Sequence, residues 1–155
     1  MIYRQPQQSK QRFLREEVKG AIVAEDVRVE RAASQIVVAL ADSGAFSNAV
    51  ILYENFSAST RARTITGGNV VDLSGAADPA IFTRRKTAMG WGPTRQQIAH
   101  DGAFDNANGG QALPTSLVNL RLGTDDGSTP LDGTLESVAY YAGARSDTFV
   151  QQVSR

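Results

Sequence analysis

Apolar and polar residues alternate along much of this chain with a period of two, the mark of strands that bury one face. In AIVAEDVRVE, Val27 and Val29 alternate with Asp26, Arg28 and Glu30. SQIVVALA (34–41) and AVILYENF (49–56) are continuously apolar but short, which suits strands buried on both faces. TRARTIT sets Arg61 and Arg63 on one face, and GGNVVDLSG is a short strand between Gly-marked turns. RRKTAMGWG and TRQQIAHDG form a candidate pair joined through Gly92-Pro93. In SLVNLRLGT, Leu117, Asn119 and Arg121 share one face and Val118, Leu120 and Leu122 the other. TLESVAYYAG follows a Gly/Asp-rich loop. The pattern predicts about nine strands, with turn signals every ~8–12 residues and almost no helix, hence an all-β antiparallel sandwich or barrel.

Residues 1–20 break this pattern. RQPQQSKQ is a polar, Gln-rich leader, and SKQRFLREEVKG predicts a short helix with Ser9 as N-cap, Phe13 and Leu14 on one side and Gly20 as its stop. Two readings fit, a frayed tail and a docking arm in which Arg12, Phe13 and Leu14 make the contacts. The expected organisation is therefore an arm over 1–20 and one domain over 21–155, a size that suits a single core.

Composition narrows the function classes. Hydrophobic residues make up 41% and charged residues 21%, enough apolar surface for a packed core. Sixteen Lys and Arg balance sixteen Asp and Glu, so no general electrostatic case exists for nucleic acid or an anionic membrane. With no cysteine, disulfides, thiolate zinc sites and cysteine nucleophiles are excluded. No apolar run approaches the roughly 20 residues that span a bilayer, and the polar N-terminus lacks the apolar centre of a Sec signal peptide.

From residue 84 to 153 the order of segments is a strand with MGW, a strand ending IAHDG, LPTSLVNLRLGT, a Gly/Asp loop, LDGTLESVAYY and RSDTFVQQV. This order resembles the C-terminal half of concanavalin A-like (laminin-G-like) jelly rolls of bacteriophage virion proteins, such as tail fibres and other appendages. Leu131, Gly133, Leu135, Val138, Tyr140 and Tyr141 match the family's closing strand, and Arg145, Ser146 and Asp147 match the start of its final helix. The resemblance implies a jelly-roll sandwich with an extended N-terminal arm and a short C-terminal helix. Ser146 or Asp147 would cap that helix, and Phe149, Val150 and Val153 would pack it back as a plug on the open end. It further implies a virion location after assembly in the host cytoplasm, contact with other virion proteins through the arm, and a homo-oligomer, with a trimer favoured. Host-surface attachment would follow through bacterial polysaccharide. The alternative is a free-standing carbohydrate-binding module that recognises bacterial surface glycans.

Candidate chemistry is sparse. FDNANGG, read as a hydrated hairpin loop, offers Asp105, Asn106 and Asn108, polar types that sugar sites use, and one of Tyr140 and Tyr141 is expected on the outside; Tyr141 is the glycan candidate. Asp125, Asp126 and Asp132 in GTDDGSTPLDG are candidate calcium ligands, though turn chemistry accounts for the same residues and the spacing is not that of the regular calcium loop. His100, the single histidine, reads as the flank of a turn, and Trp91, the single tryptophan, as a core residue. Arg61, Arg63 and the run Arg84, Arg85, Lys86 suit an anionic polysaccharide or a solvated strand face that blocks edge pairing. There is no nucleophile elbow, phosphate loop or histidine pair, so no enzyme is expected.

Overall fold

The structure is a computed structural model and describes residues 19–29, 34–42, 46–55, 59–77, 80–109, 112–124 and 130–155. Among them are ten strands and one helix: β1 Gly20–Arg28, β2 Gln35–Ala41, β3 Ala49–Asn55, β4 Ser59–Thr66, β5 Asn69–Ala77, β6 Arg84–Gly92, β7 Arg95–His100, β8 Ala103–Gly109, β9 Asn119–Leu122, β10 Gly133–Ala142 and α1 Asp147–Val153. They build two antiparallel five-stranded sheets, β10-β1-β6-β7-β8 (sheet A) and β5-β4-β3-β2-β9 (sheet B). The two sheets face each other as a jelly-roll sandwich.

Alternation puts Ile22 and Ala24 of β1 into the space between the sheets, where they meet Val38, Val50, Leu52, Ala62 and Leu73 of sheet B and Met89, Trp91 and Ile98 of sheet A. Trp91 is 2% exposed, a core residue as its strand pattern predicts, with the Tyr140 ring centroid 6.1 Å away. The unbroken apolar runs of β2 and β3 also follow from burial. Their alternate residues Ile36, Ala39, Ala41, Ala49, Ile51 and Tyr53 form a second buried cluster on the outer side of sheet B.

Toward one end the interior turns polar. Glu54 of β3 is buried, meets Arg28 of β1 at 3.4 Å, and accepts hydrogen bonds from the Thr60 hydroxyl at 2.9 and 3.0 Å. Buried Arg85 then donates to the Thr60 oxygen at 2.7 Å. Charges this deep survive only when paired and hydrogen-bonded, which this network provides.

Three expectations change. FDNANGG is a strand, β8, at the edge of sheet A, and it raises the count from nine to ten. Asp, Asn and Gly are depleted in strands, and the residues of β8 that reach the interior or sheet B are Asp105, Asn106 and Asn108, so no apolar alternation marks it. The final helix does not plug an open end. It lies on the outer face of sheet A, where Val150 packs with Val23, Ala88 and Ala99. Gly90 permits this approach, since a Cβ there would come within 2.8 Å of Val150 Cγ2. Of the two cap candidates Ser146 serves, its Oγ accepting from Phe149 N at 3.2 Å.

The side of the sandwich between β9 and β10 gapes. Leu120 and Leu122 pair with Leu40 and Val38, whose side chains belong to the interior. Yet they are 57% and 51% exposed, and among the described residues no strand of sheet A faces them closely. Together with Ile22, Leu135, Val138 and Tyr140 they line a groove of about 510 Å³. Among the described residues no helix is long and apolar enough to cross a membrane.

Candidate functional site

Register across sheet B lays out its outer face as a grid. One row runs Arg121, Ala39, Ile51, Arg63, Asp72 across all five strands. The next runs Asn119, Ala41, Ala49, Ile65, Val70, and on the other side lies Ile36, Tyr53, Arg61, Ser74. Small and aliphatic side chains therefore floor the middle strands. Guanidiniums stand on both flanks, their backbones about 14 Å apart at the usual strand spacing.

The flank on β3, β4 and β5 is a bonded unit. Arg63 Nε donates to Asp72 Oδ1 at 2.7 Å and Nη2 to Asp72 Oδ2 at 2.8 Å, the two-pronged pairing that suits a planar guanidinium. Arg63 Nη2 also donates to Tyr53 Oη at 3.0 Å, and its Cζ sits 4.8 Å above the Tyr53 ring. The Tyr53 hydroxyl donates to Asp72 Oδ2 at 3.3 Å. Partial burial works to raise the Asp72 pKa, but the hydrogen bonds and charge of Arg63 override it and hold the carboxyl below its ordinary value. The Tyr53 phenol is pushed up by burial and then by the Asp72 charge, and Arg63 is raised by its hydrogen bond to Asp72.

Among the described residues the other two arginines have no such carboxylate. Arg61 Nη1 donates to Ser74 Oγ at 2.5 Å, and its buried Nε has no hydrogen-bond partner among the described residues. On the β9 flank, Arg121 Cζ lies 4.7 Å over the Phe46 ring. The grid thus holds three guanidiniums against the single carboxylate of Asp72, a local cationic excess in a chain of zero net charge. The floor is itself covered, with Ala39, Ala41 and Ala49 at 0%, Ile51 at 5% and Tyr53 at 7% exposed, so what the face offers is its guanidiniums, whose paired N–H donors suit carboxylates.

Of the glycan candidates named from sequence, Asp105, Asn106 and Asn108 lie along β8, and Tyr141 lies apart from them. Asp105 forms an ion pair with Nδ1 of His100 inside the sandwich. His100 flanks the Asp101–Gly102 turn between β7 and β8, as the sequence predicts, and its side chain is buried, 4% exposed. Asn106 Nδ2 donates to Ser74 O at 3.1 Å, tying the edge of sheet A to sheet B, and Asn108 Nδ2 reaches Gln96 Oε1 at 3.5 Å. Tyr141 lies on the far side of sheet A, half-buried against the Phe149 ring at 5.2 Å, so neither tyrosine of the pair stands free.

Asp132 is exposed, and its backbone ties the chain down: its N–H donates to Gln35 Oε1 and its carbonyl accepts from Val29 N. Asp125 and Asp126 lie outside the described residues, as do Arg12, Phe13 and Leu14. Among the described residues no three acidic or histidine side chains cluster as metal ligands. The run at 84–86 is split: Arg84 pairs with Glu25 and Glu136, Arg85 is buried, and Lys86 donates to the carbonyl of Arg155.

Of the grid, the sequence exposed Arg61 and Arg63 by their alternation in TRARTIT, and it put Asn119 and Arg121 on one face of their strand. Tyr53, Asp72, Ser74 and Phe46 were missed. Their membership depends on which strands lie side by side, and no local pattern states that.

No protein-family model matches the chain, and no curated protein sequence does either. Solved structures do. The carbohydrate-binding module CBM40 of the Ruminococcus gnavus IT-sialidase, bound to α2,3-sialyllactose, superposes with a TM-score of 0.75 at 17% identity, covering 98% of this chain and 89% of that one. Domain 4 of a GH43 extracellular arabinanase from Geobacillus stearothermophilus, in complex with arabinotriose, gives a TM-score of 0.65 at 12% identity, over 88% of this chain and 66% of that one. Domains LG4-5 of the mouse laminin α1 chain give 0.65 at 12%, over 86% and 40%. At these identities the likeness is one of fold, and it agrees with the concanavalin A-like, laminin-G-like resemblance seen in the sequence.

Proposed function

We propose that the chain is a non-catalytic carbohydrate-binding module that holds an acidic glycan on the outer face of sheet B. The observation that carries this reading is the row Arg121–Ala39–Ile51–Arg63–Asp72, with Arg61 beside it: cations on both flanks of sheet B, of which only Arg63 is paired with a carboxylate among the described residues. Arg121 and Arg61 take the glycan's carboxylate and neighbouring hydroxyls, while Arg63, clasped by Asp72, keeps Tyr53 in place. The fold likeness to modules seen with sialyllactose and arabinotriose supports a sugar as the ligand. The virion reading draws on the sequence resemblance alone, and none of the structures named above is described as part of a virion. A free-standing module is therefore the better-supported form of the same idea. Calcium has no part in this reading.

The test is calorimetric titration of the full chain with sialyllactose and with lactose, in EDTA. Saturable binding of the acidic sugar and none of the neutral one is expected. Arg121→Ala and Arg61→Ala should each weaken it ~10-fold or more, the usual worth of a hydrogen bond to a charged group. Equal binding of both sugars, or full affinity in both variants, would refute the assignment to this face.

A further inference from the structure

The groove between β9 and β10 poses a separate problem. Six apolar side chains line it, from both sheets, and the two leucines of β9 are more than half exposed although their register turns them inward. Apolar surface of this kind calls for an occupant. The loop that joins β9 to β10 does not supply one, since residues 125–129 are Asp, Asp, Gly, Ser and Thr. Strand addition at β9 is poorly served, because that edge is only four residues long, whereas the edge of β10 runs for ten.

We propose that the groove seats the chain's own N-terminal segment, with Phe13 and Leu14 as the side chains that fill it. Three observations lead there. The described chain begins at the rim of the groove: the Lys19 carbonyl accepts from the Tyr140 hydroxyl at 3.4 Å and from Gly143 N at 2.9 Å, and Tyr140 is itself a groove residue. Phe13 lies six positions before Lys19, a reach of about 20 Å when extended, whereas Tyr140 to Leu135 spans only about 17 Å of strand. Phe13 can therefore arrive at any point along the groove. Finally, residues 1–18 carry large apolar side chains at Met1, Ile2, Tyr3, Phe13, Leu14 and Val18, and of these Phe13 and Leu14 are the adjacent pair whose distance from Lys19 along the chain matches the length of the groove. Charge agrees: Glu136 on the wall shares Arg84 with Glu25, two carboxylates to one guanidinium, and Arg12 brings a further cation. The docking arm expected from sequence thus finds its dock on its own domain.

The chain has no cysteine, so paired cysteines report this contact without interference. In the full-length variant Leu14→Cys with Leu122→Cys, mild oxidation should close an intramolecular disulfide about tenfold faster than in Leu14→Cys with Val70→Cys, on the opposite edge of sheet B, because docking raises the local concentration of the first pair. Equal rates would overturn the proposal. Disulfides joining two chains would overturn it too, and would give the groove to a second copy. Independently, Phe13→Asp with Leu14→Asp should raise the fluorescence of an added apolar dye several-fold by emptying the groove, and unchanged fluorescence counts against the proposal.

Discussion

Arg63 holds Asp72 by both carboxylate oxygens, at 2.7 and 2.8 Å, and the same guanidinium roofs the Tyr53 ring. The three side chains come from three adjacent strands of sheet B, so the clasp fixes the shape of its outer face as well as its charge.

Asp72 sets a pH dependence. Its carboxyl titrates below the ordinary value of 3.8 in the folded chain, so the ion pair stabilises the fold fully above that value and loses its contribution as pH falls through the lower, native one. Both partners are about one-third exposed, which limits the worth of the pair to about 0.5–1 kcal/mol. Asp72→Asn should be less stable than the parent by that amount at pH 7, and the gap should narrow as pH falls below 3.8. Urea unfolding of both proteins at neutral and at low pH checks this, and an undiminished gap at low pH would show that Asp72 acts through something other than its charge.

Glu54 is the better guarded acid. It is 1% exposed and bonded to Thr60 and Arg28. Glu54→Ala leaves Arg28 buried without its carboxylate and should cost about 3–5 kcal/mol, lowering Tm by roughly 10 °C in a domain of this size. Arg84→Ala, which breaks two ion pairs of a side chain 64% exposed, should change Tm by a degree or two. Calorimetric scans of the two variants separate the cases, and similar shifts would mean that burial does not govern these pairs.

Gly75 and His100 are coupled through space. A Cβ at Gly75 would meet His100 Cε1 at 2.5 Å and Ile98 Cδ1 at 3.1 Å, so the bare backbone of β5 makes room for the imidazole that pairs with Asp105. Gly75→Ala should cost about 1–3 kcal/mol by overpacking. His100→Ala is destabilising alone because it strands Asp105, but it removes the clash, so the double variant should be less damaged than the sum of the two. Denaturant unfolding of the four proteins gives the coupling, and strict additivity would contradict the contact.

The sequence revealed its strands where packing imposes a pattern. Val27 alternating with Asp26 and Arg28, and the unbroken runs of β2 and β3, each report a face that meets apolar neighbours. It hid β8, whose Asp105 answers a histidine instead of a hydrophobic core. The C-terminal helix was legible in Ser146 and Asp147, since capping is a local event. Its seat over Val23, Ala88 and Ala99 was not, because three separate strands must assemble before that surface exists. The same limit applies to the candidate site. Arg61 and Arg63 share a strand and could be read together, whereas Arg121, 58 positions beyond Arg63, joins their row only through the order of sheet B.

The placement of the single tryptophan has a practical side. Trp91 lies in the interior against Tyr140, which shelters the indole from water and gives the chain one blue-shifted emitter that reddens on unfolding. The arginine grid lies beyond sheet B, so sugar arriving there leaves the indole's surroundings unchanged. Intrinsic emission therefore records whether the sandwich is closed and stays silent about its occupancy, which makes it a built-in folding control for every variant above.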